Sequence, residues 1–430
     1  MGDQNWPQHF ARLGSREFRF DQVPEELRPI RSVVEPWLAA VLQSEHLSLL
    51  VGNGLTLGVA AELGVTGASM TSPQLDLELS QEVEARAATL ASRAGRGEPN
   101  VEDLIRAVIQ LIQGLEVLKD PRAAVWEAKL QEVLSTLRDE ILKTEKGIRR
   151  GFEGSGSEGE RAQAALGSFL LTFASRTATR ERLHVFTTNY DRLIEHASDF
   201  LGLHVLSRFV GALEPKFRSS RLNVDIHYNP PGIRGEPRYL EGVVRYTKLH
   251  GSIDWVSDGR SLKRHALPFG AEPGHAGTPD TSLMVYPNSA KDVETSEYPY
   301  AELFRDLSAA VCRPNSTMVT YGYGFGDDHI NRVIRDMLTI PSTHLVIISY
   351  DDPGGRVSRF CQSVARDAQV SLLVGSHFGA IGPLTDHYLP KPAIDLISWR
   401  RAQLVEKRGF ATEDRLDSDS DRGEGGASDE

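Results

Sequence analysis

The chain has 430 residues, of which 40% are hydrophobic and 25% are charged, and its formal net charge is −11 at pH 7. This composition is typical of a globular protein and allows one large domain with an insertion, or two domains. The sequence contains no run of about 18 apolar residues that would predict a membrane span and no apolar stretch near its N-terminus that would indicate a signal peptide. We therefore expect a cytoplasmic protein that does not contact a membrane.

The negative charge is concentrated at the C-terminal end. Residues 411–430 carry eight acidic residues and two arginines, a net charge of −6, which leaves −5 for the rest of the chain. A segment rich in Asp, Ser and Gly cannot bury a hydrophobic core, so we expect a disordered acidic tail here. The chain lacks the general basic character of nucleic-acid-binding proteins, and no direct binding to nucleic acid is expected.

The two cysteines, Cys312 and Cys361, are far apart in the sequence. They cannot form a zinc site alone, and they do not resemble the disulfide framework of a small secreted protein. We therefore expect no bound metal.

The first 45 residues predict a leader with one amphipathic helix over Pro29–Gln43. The apolar segment His46–Val51 predicts a short strand. A glycine-rich turn follows it, and the next helix is predicted over Leu57–Leu63. Residues 64–75 are predicted to form a loop.

Residues 76–160 predict an all-helical insertion and a linker, because they contain no strand signal. Two sets of apolar residues recur at helical spacing, and each defines one apolar helix face. The run GFEGSGSEGE at residues 151–160 predicts a flexible linker. The two sets are Val101, Leu104, Ile105, Val108, Ile112 and Leu115, and Trp126, Leu130, Val133, Leu134, Leu137 and Ile141.

Strands and helices alternate after the linker, beginning with a helix over Arg161–Ala174. This alternation predicts an α/β fold, a Rossmann-like parallel sheet with helices on both faces. We assign residues 46–75 and 161–405 to this domain. The predicted strands are 184–189, several short ones within 205–250, 282–287, 316–324, 343–350 and 370–375, and the predicted helices are 190–202, 298–312, 327–338 and 354–368.

Four stretches with chemical potential follow predicted strands: GNGLT, TTNYD, KLHGS and GYGFGDD, which begin at residues 52, 187, 248 and 322. Ligands of such sheets bind at the carboxyl ends of the strands, so we expect the four stretches to converge on one crevice. Glycines at the first stretch would let a diphosphate approach the backbone at a helix N-terminus.

Each stretch also has a purely structural interpretation. The first could be a tight turn, since Leu57 stands where the G-x-G-x-x-G pattern has its third glycine. His250 could be a satisfied core histidine. Asn189 and Asp191 could cap the helix that follows them, and the aspartates of the fourth stretch could cap the next helix, because Asn and Asp are preferred at N-caps.

In combination, the four stretches resemble the motifs of the sirtuin superfamily, and more closely those of sirtuin-like bacterial antiphage defence proteins that consume NAD. The first is similar to the family's phosphate loop Gly-Ala-Gly-x-Ser, with Asn53 in place of Ala and Thr56 in place of Ser. TTNYD matches the Thr-x-Asn-x-Asp motif, LHGS the His-Gly motif, and GYGFGDD the distal glycine-rich element. MVYPNSAK, with Pro287 and Lys291, and NVEDLI at residues 100–105 are also similar to the family. The resemblance covers about residues 46–375.

This resemblance implies an NAD-binding domain with specific roles for the motif residues. Asn189 would hold a water or a ribose hydroxyl, His250 would act as general base, and Asp191 would orient this network. The implied NAD-binding residues are Gly52, Asn53, Gly54 and Thr56 at the diphosphate end, Thr188, and Gly322, Gly324 and Asp327 at the adenosine end.

One departure from the family separates two activities. Protein-deacylating sirtuins usually carry a four-cysteine zinc module, which a chain with two cysteines cannot form. The NAD-hydrolysing relatives have helices in that region, as predicted for residues 76–150. The resemblance therefore favours an NAD hydrolase that cleaves the nicotinamide–ribose bond and depletes NAD in antiphage defence by abortive infection.

Other functions stay open. A sirtuin-type protein deacylase would need an acyl-lysine groove, and a non-catalytic subunit of a defence complex would sense NAD or ADP-ribose without turnover. A Rossmann dehydrogenase would require a fuller glycine pattern and an acidic residue about 20 positions further on. The family also implies a homo-oligomer and a second protein, such as a HerA-type ATPase or a short Argonaute. The chain has no G-x-x-x-x-G-K loop, so any ATPase would belong to a partner.

Overall fold

The strands at the centre of the fold form from short segments that are buried along all or nearly all of their length. The computed structural model describes residues 8–23, 25–68, 73–93, 97–154, 156–176, 180–220, 224–228, 238–257, 261–273 and 299–391. The strands in these ranges are β1 His9–Leu13, β2 Arg16–Phe20, β3 His46–Val51, β4 Leu183–Thr187, β5 His204–Leu206, β6 Phe209–Val210, β7 Lys216–Phe217, β8 His227–Tyr228, β9 Arg238–Tyr239, β10 Val243–Lys248, β11 Trp255–Ser257, β12 Leu262–Arg264, β13 Ser316–Tyr321, β14 His344–Ser349 and β15 Val370–Val374.

Nine of these strands form the central sheet, in the order β2-β1-β15-β14-β13-β3-β4-β10-β5. The seven strands from β15 to β5 are all parallel to one another, whereas β1 pairs antiparallel with β15. Continuous apolar strands of this kind are typical of parallel sheets covered on both faces. Two small antiparallel sheets, β11-β12-β7-β6 and β8-β9, complete the strand structure of the described ranges.

β3 lies near the middle of the central sheet, and the chain extends the sheet in both directions from it. β4, β10 and β5 lie on one side, whereas β13, β14 and β15 lie on the other. A reversal of strand order leaves a crevice at the carboxyl ends of the strands beside it. The topology therefore predicts a ligand site between the ends of β4, β3 and β13.

Helices cover the sheet on both faces. One face packs against apolar residues of the early helices, including Leu38, Val59 and Phe169, and the other against later ones, including Leu307 and Ile334. The helices are α1 Arg28–Val41, α2 Gly54–Glu62, α3 Ser80–Arg93, α4 Val101–Val117, α5 Arg122–Glu153, α6 Ser157–Ala174, α7 Leu193–Phe200, α8 Tyr300–Val311, α9 Asp328–Leu338, α10 Arg356–Val364, α11 Ser376–Gly379 and α12 Ile381–Pro383.

The helices α3 to α5, at residues 80–153, form what we call the helical region. They build a hydrophobic core of their own around Leu104, Val108 and Trp126, which includes every residue of the two apolar sets predicted from the sequence. Tyr190 from the loop after β4 also belongs to this core. The helical region therefore packs against the carboxyl edge of the sheet.

The α/β fold with a largely parallel sheet is confirmed, but the N-terminal segment contains more than the predicted helix. β1 and β2 form an antiparallel hairpin, and β1 pairs with β15, so that Phe10 lies opposite Val374. The local signal for this hairpin was the alternation of apolar and polar residues in HFARL and REFRF, on either side of Gly14. Tertiary pairing with β15 decided the outcome, since an isolated hairpin is only marginally stable.

The prediction of a flexible linker over residues 151–160 is wrong for most of that range. α5 continues to Glu153 and α6 begins at Ser157. The glycines serve close packing, because a Cβ atom on Gly159 would lie 2.2 Å from the carbonyl oxygen of Gly151. Helix contact explains this glycine better than loop flexibility does.

Three further expectations concern other parts of the chain. The predicted strand over 282–287, the residues Pro287 and Lys291, and the predicted acidic tail lie outside the described residues. The division into domains stays a prediction. No described helix is long and apolar enough to span a membrane.

Candidate active site

The four stretches singled out in the sequence follow β3, β4, β10 and β13, four neighbouring strands of the sheet. They surround one cavity of about 290 Å³, close to the lower end of the usual range for ligand sites. All but one of the predicted site residues line it, the exception being Gly54. The lining residues among them are Gly52, Asn53, Thr56, Thr188, Asn189, Asp191, His250, Gly322, Gly324 and Asp327.

The first and fourth stretches are held directly against each other by their glycines. A Cβ atom on Gly52 would lie 2.4 Å from the carbonyl oxygen of Gly322, and one on Gly54 would lie 2.5 Å from Gly322 Cα. Gly322 also has a φ of +60°, in the left-handed region that favours glycine. The sequence suggested a phosphate contact for Gly52 and Gly54, and the structure gives both a packing role.

The turn after β3 retains features that suit an anion. The N–H of Gly54 donates to the Gly322 carbonyl at 3.1 Å, and that of Leu55 donates to Gly52 at 3.1 Å. Across the described chain, no partner is seen for the N–H groups of Asn53 and Thr56. Both residues line the cavity at the N-terminus of α2, where the helix dipole favours negative charge.

Asn189 lines the cavity and is 6% exposed. Its side-chain amide donates to the Gly52 carbonyl at 3.1 Å and to the Thr56 hydroxyl at 3.2 Å. Its Oδ1 atom is buried and has no hydrogen-bond partner within the part of the chain that the structure describes. Because buried polar atoms are nearly always paired, this oxygen is suited to a ligand hydroxyl or a water.

Asp191 is buried beside Asn189 and is joined to it through one hydroxyl. Its Oδ2 atom accepts the Thr56 hydroxyl at 2.8 Å, and its Oδ1 atom accepts the N–H of Leu193 at 3.1 Å. The second bond is to the first residue of α7, although the N-cap of this helix is Arg192, so Asp191 supports the helix start and the structural interpretation holds only in part. The carboxylate also lines the cavity and fixes the hydroxyl that holds Asn189.

His250 is paired with an acidic residue from another part of the sheet. Its Nε2 atom lies 2.9 Å from Asp327 Oδ2, and both side chains are largely buried. A neutral imidazole that donates from Nε2 keeps Nδ1 as its proton acceptor. The pair therefore has the arrangement of a general base oriented by a carboxylate.

Asp327 has two roles in the structure, of which the structural interpretation of the sequence anticipated only the helix cap. Its Oδ1 atom accepts the N–H groups of His329 and Ile330 at 2.9 and 3.3 Å, which caps α9. Its Oδ2 atom contacts His250. We expected Asp327 at the adenosine end of a ligand, whereas the contact places its carboxylate beside the candidate base.

The sequence did not identify all residues of the cavity. Arg356 follows Gly354 and Gly355 at the start of α10, and its Nε atom donates to the Gly324 carbonyl at 2.6 Å. Among the described residues that line the cavity, it is the one with a permanent positive charge. Its position just after a parallel strand was a signal that could have been used. Ala68, Ile141 and Thr144 were also missed, whereas the other lining residues lie in segments that the sequence had singled out without giving them a role: Asn100, Glu102, Tyr190, Tyr323 and Gly326.

The helical region thus supplies a wall of the cavity. Asn100 forms a capping box with Asp103 at the start of α4, and Glu102 follows in its first turn. Thr144 lies on α5. In the described ranges, no group of three or more His, Cys, Asp and Glu side chains is arranged to hold a metal ion.

The domain that carries these residues can be compared with known protein families. Residues 183–372 match the SIR2-like domain. This match supports membership of the sirtuin superfamily, whose SIR2-like domains use NAD. The SIR2-like domain extends from β4 into β15 and contains Asn189, His250 and Asp327, whereas the glycine turn after β3 precedes it. A comparison with curated proteins gave no match.

Proposed function

We propose that this protein is an NAD glycohydrolase that cleaves the bond between nicotinamide and ribose. The observation that carries the proposal is the arrangement of Asn189, with its unpartnered Oδ1 atom, and the His250–Asp327 pair around one cavity. This arrangement belongs to a SIR2-like domain, a kind of domain that uses NAD. NAD is the substrate, and the proposed site requires no metal.

The reaction breaks the C1′–N bond, and its electron pair goes to the nicotinamide nitrogen, which loses its positive charge. The ribose carbon then has oxocarbenium character, and water adds to it. Asn189 Oδ1 would accept a hydrogen bond from that water or from a ribose hydroxyl without adding a charge. His250 would accept the proton, and Asp327 would stabilise the resulting imidazolium.

The diphosphate would lie at the turn after β3 and near Arg356. This assignment is supported by the N–H groups of Asn53 and Thr56 at the start of α2 and by the positive charge of Arg356. Thr188, Gly322 and Gly324 would complete the contacts with NAD. The same residues would serve a deacylase, but a chain with two cysteines lacks the four-cysteine zinc module of that branch.

The proposal extends to the biological role. NAD depletion would stop phage propagation by abortive infection in the cytoplasm, and an unchecked hydrolase would kill its host. We therefore propose control by assembly, as a homo-oligomer and with a partner such as a HerA-type ATPase. The resemblance to sirtuin-like defence proteins supports this part of the proposal.

Nicotinamide release from NAD tests the activity, measured with the protein alone and with the product of the neighbouring gene. Asn189→Ala and His250→Ala should each lower release by at least about a hundredfold while the protein stays folded, as shown by a cooperative thermal unfolding transition. His204→Ala, at an exposed histidine of β5, is the matched control and should release nicotinamide normally. Full activity in both site variants would exclude the mechanism, and a wild type that binds ADP-ribose without turnover would favour a sensor.

A further inference from the structure

The loop between β4 and α7 carries both Asn189 and Asp191, and it is held from two directions. From the sheet, Lys248 donates to the carbonyl oxygens of Tyr190 and Asp191, and its charge is balanced by Glu195 at 3.1 Å. These contacts hold the carbonyl groups of the loop.

From the helical region, a single carboxylate holds the N–H side of the loop. Glu145 on α5 is 1% exposed, and its Oε1 atom accepts the backbone N–H of Arg192 at 2.7 Å and the Nε–H group at 3.2 Å. Its Oε2 atom accepts Arg192 Nη2 at 2.5 Å and the N–H of Gly270 at 3.3 Å. Four donors therefore saturate this carboxylate.

Arg192 completes the junction. It is 5% exposed, and its guanidinium also donates to the carbonyl oxygens of Leu267 and Pro268. Burial raises the pKa of Glu145, whereas the charge and hydrogen bonds of Arg192 oppose that shift. The loop that bears the candidate catalytic amide is thus joined to the helical region by a buried, fully hydrogen-bonded ion pair.

We propose that Glu145 and Arg192 are positioning residues that hold the Asn189 loop in its reactive geometry, so that turnover depends on the docking of the helical region. Thr144, the neighbour of Glu145, lines the cavity. One turn of α5 therefore both forms a wall of the site and fixes the loop. This inference rests on the proposed hydrolase function.

Single and double replacements of this ion pair can distinguish a role in positioning the loop from a role in stabilising the fold. Replacing one partner leaves an unpaired buried charge, which is costly, whereas replacing both with apolar residues of similar volume is often neutral. In a double replacement, the backbone N–H groups of Arg192 and Gly270 would nevertheless lose their acceptor, and two backbone carbonyl groups would lose the Arg192 donor. A positioning role therefore predicts that stability recovers in the double variant and that turnover does not.

The test measures kcat and KM for nicotinamide release, the Kd of ADP-ribose and the unfolding midpoint for Glu145→Met, for Glu145→Met/Arg192→Met and for the wild type. The double variant should regain most of the midpoint lost by Glu145→Met. Its kcat should stay at least about tenfold below that of the wild type, since small displacements of reacting groups have effects up to about a hundredfold. Its Kd for ADP-ribose should change by less than about threefold. Glu132→Gln, an exposed glutamate of the same helix, is the matched control and should behave as the wild type.

Two results would overturn the inference: a folded double variant with wild-type kcat, or a double variant that does not fold, because the pair would then be needed for stability rather than for position. A wild type that releases no nicotinamide, alone or with the neighbouring gene product, would instead contradict the proposed hydrolase function.

Discussion

His250 Nε2 lies 2.9 Å from Asp327 Oδ2, although 77 residues separate the two in the sequence. The contact joins the end of β10 to the start of α9, across the ends of β4, β3 and β13. In a neutral histidine, a carboxylate at Nε2 selects the tautomer that accepts a proton at Nδ1. The relationship therefore assigns a function to an aspartate that also caps a helix.

Asp327→Asn should remove the carboxylate that orients His250 and retain the cap of α9, because Asn is as good an N-cap as Asp. The amide would donate to Nε2 and favour the tautomer that lacks the basic Nδ1. We expect kcat for nicotinamide release to fall by about a hundredfold to ten-thousandfold, with little change in the unfolding midpoint. Turnover at the wild-type rate would show that His250 does not need this carboxylate.

Thr56→Val should disconnect Asn189 from Asp191. The Thr56 hydroxyl donates to Asp191 at 2.8 Å and accepts the Asn189 amide at 3.2 Å, and Val keeps its shape without these bonds. Leaving buried polar groups unpaired costs about 1 to 3 kcal/mol in the free energy of unfolding, and nicotinamide release should fall with it. Thr56→Ser keeps the hydroxyl and should retain most of the activity. Urea titration gives the free energy of unfolding, and a rate assay gives nicotinamide release. If Thr56→Val and Thr56→Ser change both quantities equally, the hydroxyl does not support this network.

Gly322→Ala tests the contact between the two glycine turns. Gly322 and Gly64 have nearly the same φ, +60° and +63°, so an alanine would strain both. A Cβ atom on Gly322 would lie 2.6 Å from Gly54 Cα, whereas one on Gly64 would have no atom within 4 Å. We expect Gly322→Ala to lower the free energy of unfolding by roughly 1 to 3 kcal/mol more than Gly64→Ala does. Denaturant titration of both variants measures this difference, and equal losses would mean that the turns can separate without cost.

Acid should destabilise the fold, and His184 should account for part of the effect. Burial between strands, reinforced by Arg245 and other arginines, lowers the pKa of His184 well below its usual value. Below about pH 6.5, His184 binds a proton in the unfolded chain but not in the folded chain. Its contribution to the free energy of unfolding is therefore fully present above that pH and is lost as the pH falls.

The check is the free energy of unfolding of His184→Gln between pH 7 and pH 5. The free energy of unfolding should decrease less steeply with falling pH in the variant than in the wild type, by up to about 1.4 kcal/mol per pH unit. The exposed His204→Gln variant should keep the wild-type slope. An unchanged slope in His184→Gln would contradict the assignment.

The parallel strands and the crevice could be predicted from the sequence because apolar runs, glycine turns and short spacings are local signals. The convergence of Gly52, Asn189 and His250 followed from one rule, that ligands lie at the carboxyl ends of parallel strands. Whether these residues bind NAD stays a prediction.

Features that depend on tertiary contact could not be predicted. The Asp327 carboxylate reaches His250 only after α9 is placed, and Glu145 reaches Arg192 only after α5 packs on the sheet. The glycines at 151 and 159 looked like a linker because their function is to let two helices approach closely, which no local pattern specifies.

Nicotinamide release is the measurement that tests the central claim most directly. Purified protein, with its partner where one is required, should convert NAD to nicotinamide and an ADP-ribose product in equal amounts, without an acylated peptide, and Asn189→Ala should abolish the reaction. If NAD stays intact under these conditions, or is consumed only when an acylated peptide is present, the protein is not the hydrolase proposed here.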